Sequence, residues 1–129
     1  MDNDKQKLMK KLTTEYNENK KRCEKELTDL TEQKKLLEQK RSELFEWKRS
    51  MTSYLNSTAS EFSRLGAKDD RRELEELSAC MQREYRKAEH ECERKEREIE
   101  KSHKMISTQK EKLDIEYRRD VSDIEKGQE

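Results

Sequence analysis

Starting at Met9, the same helical face returns at every seventh position through Tyr16, Cys23, Leu30, Leu37, Leu44, Met51, Thr58 and Leu65. Thr58 is the one weak member of an otherwise apolar track. A strict seven-residue repeat keeps one side of a slightly under-wound α-helix turned toward a partner, so it predicts a left-handed coiled coil. The rest of the chain permits little else. Proline is absent and glycine occurs only at 66 and 127, so almost nothing interrupts a helix. Charged residues make up 48% of the chain and hydrophobic ones 28%, too little apolar surface for a thick core. Such a composition belongs either to disordered polyelectrolytes or to long helices with a narrow seam. The periodicity decides for helices.

The companion positions of this track are Leu12, Asn19, Glu26, Gln33, Lys40, Trp47 and Tyr54. The predicted seam is therefore thin through its middle and wider at its ends. After Gly66 a second track runs through Leu74, Leu77, Met81, Tyr85, Ala88 and Cys92. It thins to Ile99, Ile106 and Leu113, then thickens through Tyr117, Val121 and Ile124. Between the tracks stands "RLGAKDDRRE". Gly66 can take the left-handed conformation that ends a helix. Asp70 followed by Glu73 has the spacing of a capping box for the next one.

These signals predict an all-α chain, a single antiparallel two-helix coiled-coil hairpin over residues 1–129. Its first arm covers about 4–65, its turn about 66–70 and its second arm about 71–126. Folding the arms together pairs residues whose numbers sum to roughly 132. Trp47 then faces Tyr85, Leu44 faces Ala88 and Met9 falls near Ile124. Two alternatives compete: a continuous helix through Gly66 that dimerises in parallel, and an earlier break at "YLNSTAS", where Asn, Ser and Thr compete for backbone hydrogen bonds.

Several kinds of chemistry are argued against. Lysine plus arginine number 31 and aspartate plus glutamate 31, and the signs alternate along the chain, so no basic half exists to neutralise a phosphate backbone. Lys20, Lys34, Arg41 and Lys48 form a weak basic stripe, read as a solvated coiled-coil flank. A third reading, from another class, makes that stripe a nucleic-acid or membrane-surface binder.

The start "MDNDKQKL" lacks the apolar core of a signal peptide, and no run approaches the ~20 apolar residues of a membrane span. The expected location is cytoplasmic, with any export independent of a signal peptide. Cys80 and Cys92 lie ~18 Å apart along one helix, too far for a disulfide, and Cys23 should fall near position 109. Three free thiols suit a reducing compartment.

On a helix His90 and Cys92 diverge by about 200°, so "HEC" makes no metal site. No phosphate-cradling loop and no Ser-His-Asp set can be assembled, and a narrow hairpin offers no pocket for a small molecule. The expectation is a non-enzymatic chain with no cofactor and no metal.

Residues 50–62, "SMTSYLNSTASEF", carry a single charge at Glu61. Phe45, Trp47, Tyr54 and Phe62 cluster in or beside this stretch. They cannot all face one opposing helix, since each helix hides only one stripe. Phe45, Trp47, Tyr54, Leu55 and Phe62 are therefore the candidate partner-binding residues, with Trp47 and Phe62 as anchors. The predicted partner is a helical segment of another protein.

In size, in its start without an apolar core, and in an acidic-basic second arm ending "STQKEKLDIEYRRDVSDIEK", the chain resembles the small helical-hairpin proteins associated with LXG-type toxins of type VII secretion. Those are similar to WXG-fold proteins. The resemblance implies an adaptor or chaperone that binds the helical amino-terminal domain of a secreted toxin and targets it for export. Two features depart from that pattern. Trp47 is followed by Lys48 and Arg49, far from Gly66, instead of standing in a Trp-X-Gly turn. The Tyr-X-X-X-Asp/Glu export signal is matched only by Tyr85 and Glu89, in mid-helix. In outline the chain is also similar to coiled-coil stalk proteins of flagellar and type III export. A self-associating structural spacer is the competing reading.

Overall fold

The computed structural model describes residues 2–127. The ends of the predicted span, residues 1, 128 and 129, lie outside them. Two helices account for nearly all of the rest: α1, Asp2–Leu65, and α2, Lys68–Lys126. The chain is an all-α antiparallel two-helix hairpin, as its periodicity predicts.

The turn is tighter than the capping signals suggested. Gly66 takes a φ of 73°, the left-handed geometry foreseen for it. Ala67 N–H donates to the Phe62 carbonyl at 3.1 Å and Gly66 N–H to the Ser63 carbonyl at 3.4 Å. This crossed pair is a Schellman motif, which satisfies carbonyls that a helix end leaves without partners. Arg71 N–H already donates to the Ala67 carbonyl at 3.1 Å, so Ala67 stands at the start of α2. Asp70 is thus inside the first turn and does not serve as the cap. With Asp69 it places negative charge on the positive end of the helix dipole.

The break considered at "YLNSTAS" does not occur. Thr58 Oγ1 donates to the Tyr54 carbonyl at 2.8 Å, turning a potential competitor into part of the helix. Nor does the helix continue through Gly66.

Packing between the arms falls into two compact units. The terminal unit joins the start of α1, through Gln33, to α2 from Glu98 onward. The turn unit is Lys34–Arg97.

In the terminal unit Cys23 is buried, and Tyr16 and Tyr117 stack with ring centroids 4.1 Å apart. Tyr16 Oη donates to the Asp114 carboxylate, and the Thr13 and Tyr117 hydroxyls lie 3.0 Å apart in a hydrogen bond. Lys110 pairs with Glu24 at 3.4 Å. In the turn unit Leu37 and Leu74 are buried, Arg41 pairs with Glu96, and Lys48 sits 4.4 Å above the centre of the Tyr85 ring. Each unit keeps close to the register expected from the sequence.

The seam departs from expectation on one flank. Leu12 and Asn19 are half-buried, but Glu26, Gln33, Lys40, Trp47 and Tyr54 are exposed. The positions one residue further on tuck inward instead: Thr13, Lys20, Leu27, Arg41, Leu55 and Phe62 are half-buried. With 3.6 residues per turn, both sets border the seven-residue track. Rotating α1 toward the second set covers Leu27, Leu55 and Phe62 and leaves the charged members of the first set in water. The track's last member, Leu65, is exposed, because α1 ends there with no opposing turn of α2 to cover it. On α2 Leu77 is also exposed, and Ser78 takes the inner position.

Candidate protein-docking surfaces

Both surfaces lie within the turn unit, on opposite sides of its seam. On one side Met51 and Leu55 of α1 and Met81 and Tyr85 of α2 line a groove of about 320 Å³. Thr52, Asn56, Ser78 and Gln82 form more of its wall. Two methionines give the groove an adaptable lining. Lys48, Arg86 and Glu89 bring charge of both signs to it, and the Lys48 ammonium is held over Tyr85.

On the other side Ser50 and Ser57 share the column of Leu36 and Glu43, and large apolar side chains stand exposed among them. Along α1, Leu36, Trp47, Tyr54 and Leu65 recur at steps of roughly seven or eleven residues, whole numbers of helical turns. They form one stripe on the flank away from Thr52 and Asn56. Leu77 lies on the corresponding flank of α2, away from Ser78 and Gln82. Leu36 is 60% exposed, Tyr54 58%, Leu65 67% and Leu77 45%. Glu43 flanks this stripe on α1, and Asp70 and Glu73 flank Leu77 on α2. None of these three carboxylates has an ion-pair partner among the described residues.

The five sequence-predicted binding residues are not gathered into one patch. Tyr54 belongs to the acidic side. Trp47, 38% exposed, shares its stripe but also borders the groove. Leu55 and Phe62 are half-buried at the seam. Phe45 is exposed and sits two helical turns before Thr52, toward the groove side. Trp47 and Phe62, chosen as twin anchors, therefore stand in different surroundings.

Leu36, Leu65 and Leu77 were missed as surface candidates. The last two had been placed in the seam. Leu36 carried a readable signal, since it adjoins the track leucine Leu37 and two adjacent helical residues cannot both face inward.

Two titratable side chains are shifted, each through a hydrogen bond. The hydrogen bond to Asp114 raises the Tyr16 pKa, with desolvation adding to it. The Arg94 guanidinium lowers the Glu91 pKa through a charge-assisted hydrogen bond. Cys23 is buried, Cys92 half-buried and Cys80 exposed, all as free thiols. His90 is exposed beside Glu93, 3.7 Å away. Among the described residues no three His, Cys, Asp or Glu side chains converge on a metal position. No helix there is long and apolar enough to cross a membrane.

Compared with known proteins, the chain matches no family model, no curated sequence and no solved structure.

Proposed function

We propose that this chain is a non-enzymatic, protein-binding hairpin: an adaptor or chaperone that docks on a helical domain of a secreted effector and targets it for type VII export. One observation carries the binding part. The turn unit leaves Leu36, Tyr54, Leu65 and Leu77 largely exposed on one side, where a two-helix unit has no third element to cover them. A partner helix laid along that side removes this apolar surface from water. The export part rests on the likeness in size and in the mixed-charge second arm to the hairpins associated with LXG-type toxins.

The test removes the chain from its native host and compares the proteins of the culture medium. The expected result is loss of a secreted protein with a helical amino-terminal domain, and recovery of that same protein in stoichiometric amount on the tagged hairpin. An unchanged medium, with only the bait recovered, overturns the adaptor reading in favour of a self-associating spacer.

A further inference from the structure

The two sides of the turn unit differ in charge as well as in apolar content. On the groove side Arg41 pairs with Glu96 across the seam and Lys48 sits over the Tyr85 ring, and Arg86 and Glu89 add one charge of each sign to the groove lining. On the opposite side Glu61 and Glu84 are engaged by Arg64 and Lys87 of their own helices. Glu43, Asp70 and Glu73 remain beside Leu36, Tyr54, Leu65 and Leu77, against one cation, Lys40, in the same column as Trp47 and Tyr54. Carboxylates in excess of cations around an apolar stripe favour a cationic border on whatever covers it.

From this we infer that the side bearing Leu36, Tyr54, Leu65 and Leu77 is the docking site for an amphipathic helix of another chain, whose apolar stripe is bordered by lysines or arginines. The inference deepens the protein-binding reading above and rests on it. Leu36 to Leu65 spans about eight turns of α1, so a helix of roughly 30 residues covers the stripe. A second copy of this chain fits the site less well. A closed two-fold pair lays the same acidic side on itself and brings Glu43, Asp70 and Glu73 into mutual repulsion. A head-to-tail contact between unlike sides has no reason to close into a dimer.

The experiment uses the full chain and two synthetic helices, each about 28 residues long and dye-labelled, with identical leucine stripes. One is bordered by lysines and the other by glutamates, and anisotropy reads their binding. Formal net charge of the hairpin is zero, so global attraction for either helix is small. The lysine helix is expected to bind at least tenfold more tightly than the glutamate helix. Tyr54→Glu with Leu77→Glu should weaken it roughly tenfold or more without loss of helical circular dichroism. Glu43→Lys with Glu73→Lys, both exposed, should reverse the preference toward the glutamate helix. Thr52→Gln with Asn56→Gln, both exposed in the groove, should leave lysine-helix binding within about twofold.

Loss of binding in the groove variant but not in Tyr54→Glu/Leu77→Glu overturns this assignment. So does a charge reversal that leaves the preference unchanged, or an absence of binding by either helix. The host experiment separates the two levels. A native partner still captured by Tyr54→Glu/Leu77→Glu sinks the site and spares the adaptor reading. A dimer of the hairpin, with no foreign partner recovered, sinks both.

Discussion

In the terminal unit Tyr16 and Tyr117 stack between the arms and use their hydroxyls on Asp114 and Thr13, whereas in the turn unit Phe45 and Tyr54 are exposed. The contrast follows from placement along the repeat. Tyr16 occupies the seven-residue track itself, so its ring must enter the seam. In the turn unit the track is filled by Leu37, Leu44 and Met51, and the rings occupy flanking or outward positions. Chain connectivity suits that difference. Thr13 and Tyr117 are separated by 104 residues, so contacts there close long loops and need strong, specific partners. Near Gly66 the arms are joined through two residues, and pairing there costs little loop entropy. The turn unit can leave large side chains outside its seam and still close.

The largest effect that could break this comparison concerns what holds the turn unit. Leu37 is buried on the track while Tyr54 is 58% exposed. Leu37→Ala should destabilise the chain by about 2–3 kcal/mol in urea unfolding, through lost transfer energy and a cavity. Tyr54→Ala should stay within about 0.5 kcal/mol of the parent. Comparable losses at the two positions would mean that the outward ring is core after all.

A smaller difference separates the two predicted anchors. Phe62 is half-buried at the seam and Trp47 is 38% exposed. Phe62→Ala is expected to cost roughly 1–2 kcal/mol of stability, and Trp47→Ala less than about 1 kcal/mol. If Trp47→Ala proves the more damaging, the groove side is packing against that indole more than its exposure indicates.

How much of this was legible in the sequence depends on which physical signal each feature used. The two long helices, the reversal at Gly66 and the register came from period, punctuation and matched tracks, and the structure has helices Asp2–Leu65 and Lys68–Lys126 with Gly66 between them. The flank that turns inward was not legible. Residues three and four positions from a track member lie almost equally near it, and only the opposing helix chooses between Trp47 and Phe62. Asp70 misled for a related reason. Its spacing to Glu73 satisfies a capping box, but Ala67 and the crossed bonds at Gly66 start α2 one turn sooner. At the candidate site the density of aromatics was visible, whereas its division between an acidic side and a groove required both arms at once.

The smallest predicted effects concern pH, and they sharpen the comparison because the two units carry shifts of opposite direction. In the terminal unit the hydrogen bond to Asp114 raises the Tyr16 pKa above its ordinary 10.0, so the folded state favours the protonated ring. Its contribution is fully present below pH about 10 and is lost as pH rises through the raised value. Tyr16→Phe keeps the ring but removes the hydroxyl, so the variant should lack this part of the alkaline loss of stability.

In the turn unit Arg94, by hydrogen bond and charge, lowers the Glu91 pKa below its ordinary 4.5. That contribution is present above pH about 4.5 and fades as pH falls through the lowered value. Glu91 and Arg94 are both about half exposed, so solvent screens the pair and its share of stability is small. The informative measurement is a site-by-site NMR titration. Alkali above pH about 10 should perturb signals around Tyr16 while leaving the Glu91 carboxyl unchanged, and the Glu91 carboxyl should take up its proton only below its ordinary 4.5. A Tyr16 ring that titrates at its ordinary value would show that the Asp114 bond does not persist in solution. The terminal unit would then be held by ring stacking, Cys23 burial, the Thr13–Tyr117 hydrogen bond and the Lys110–Glu24 pair, and the contrast between the units would rest on ring placement without the Tyr16–Asp114 bond.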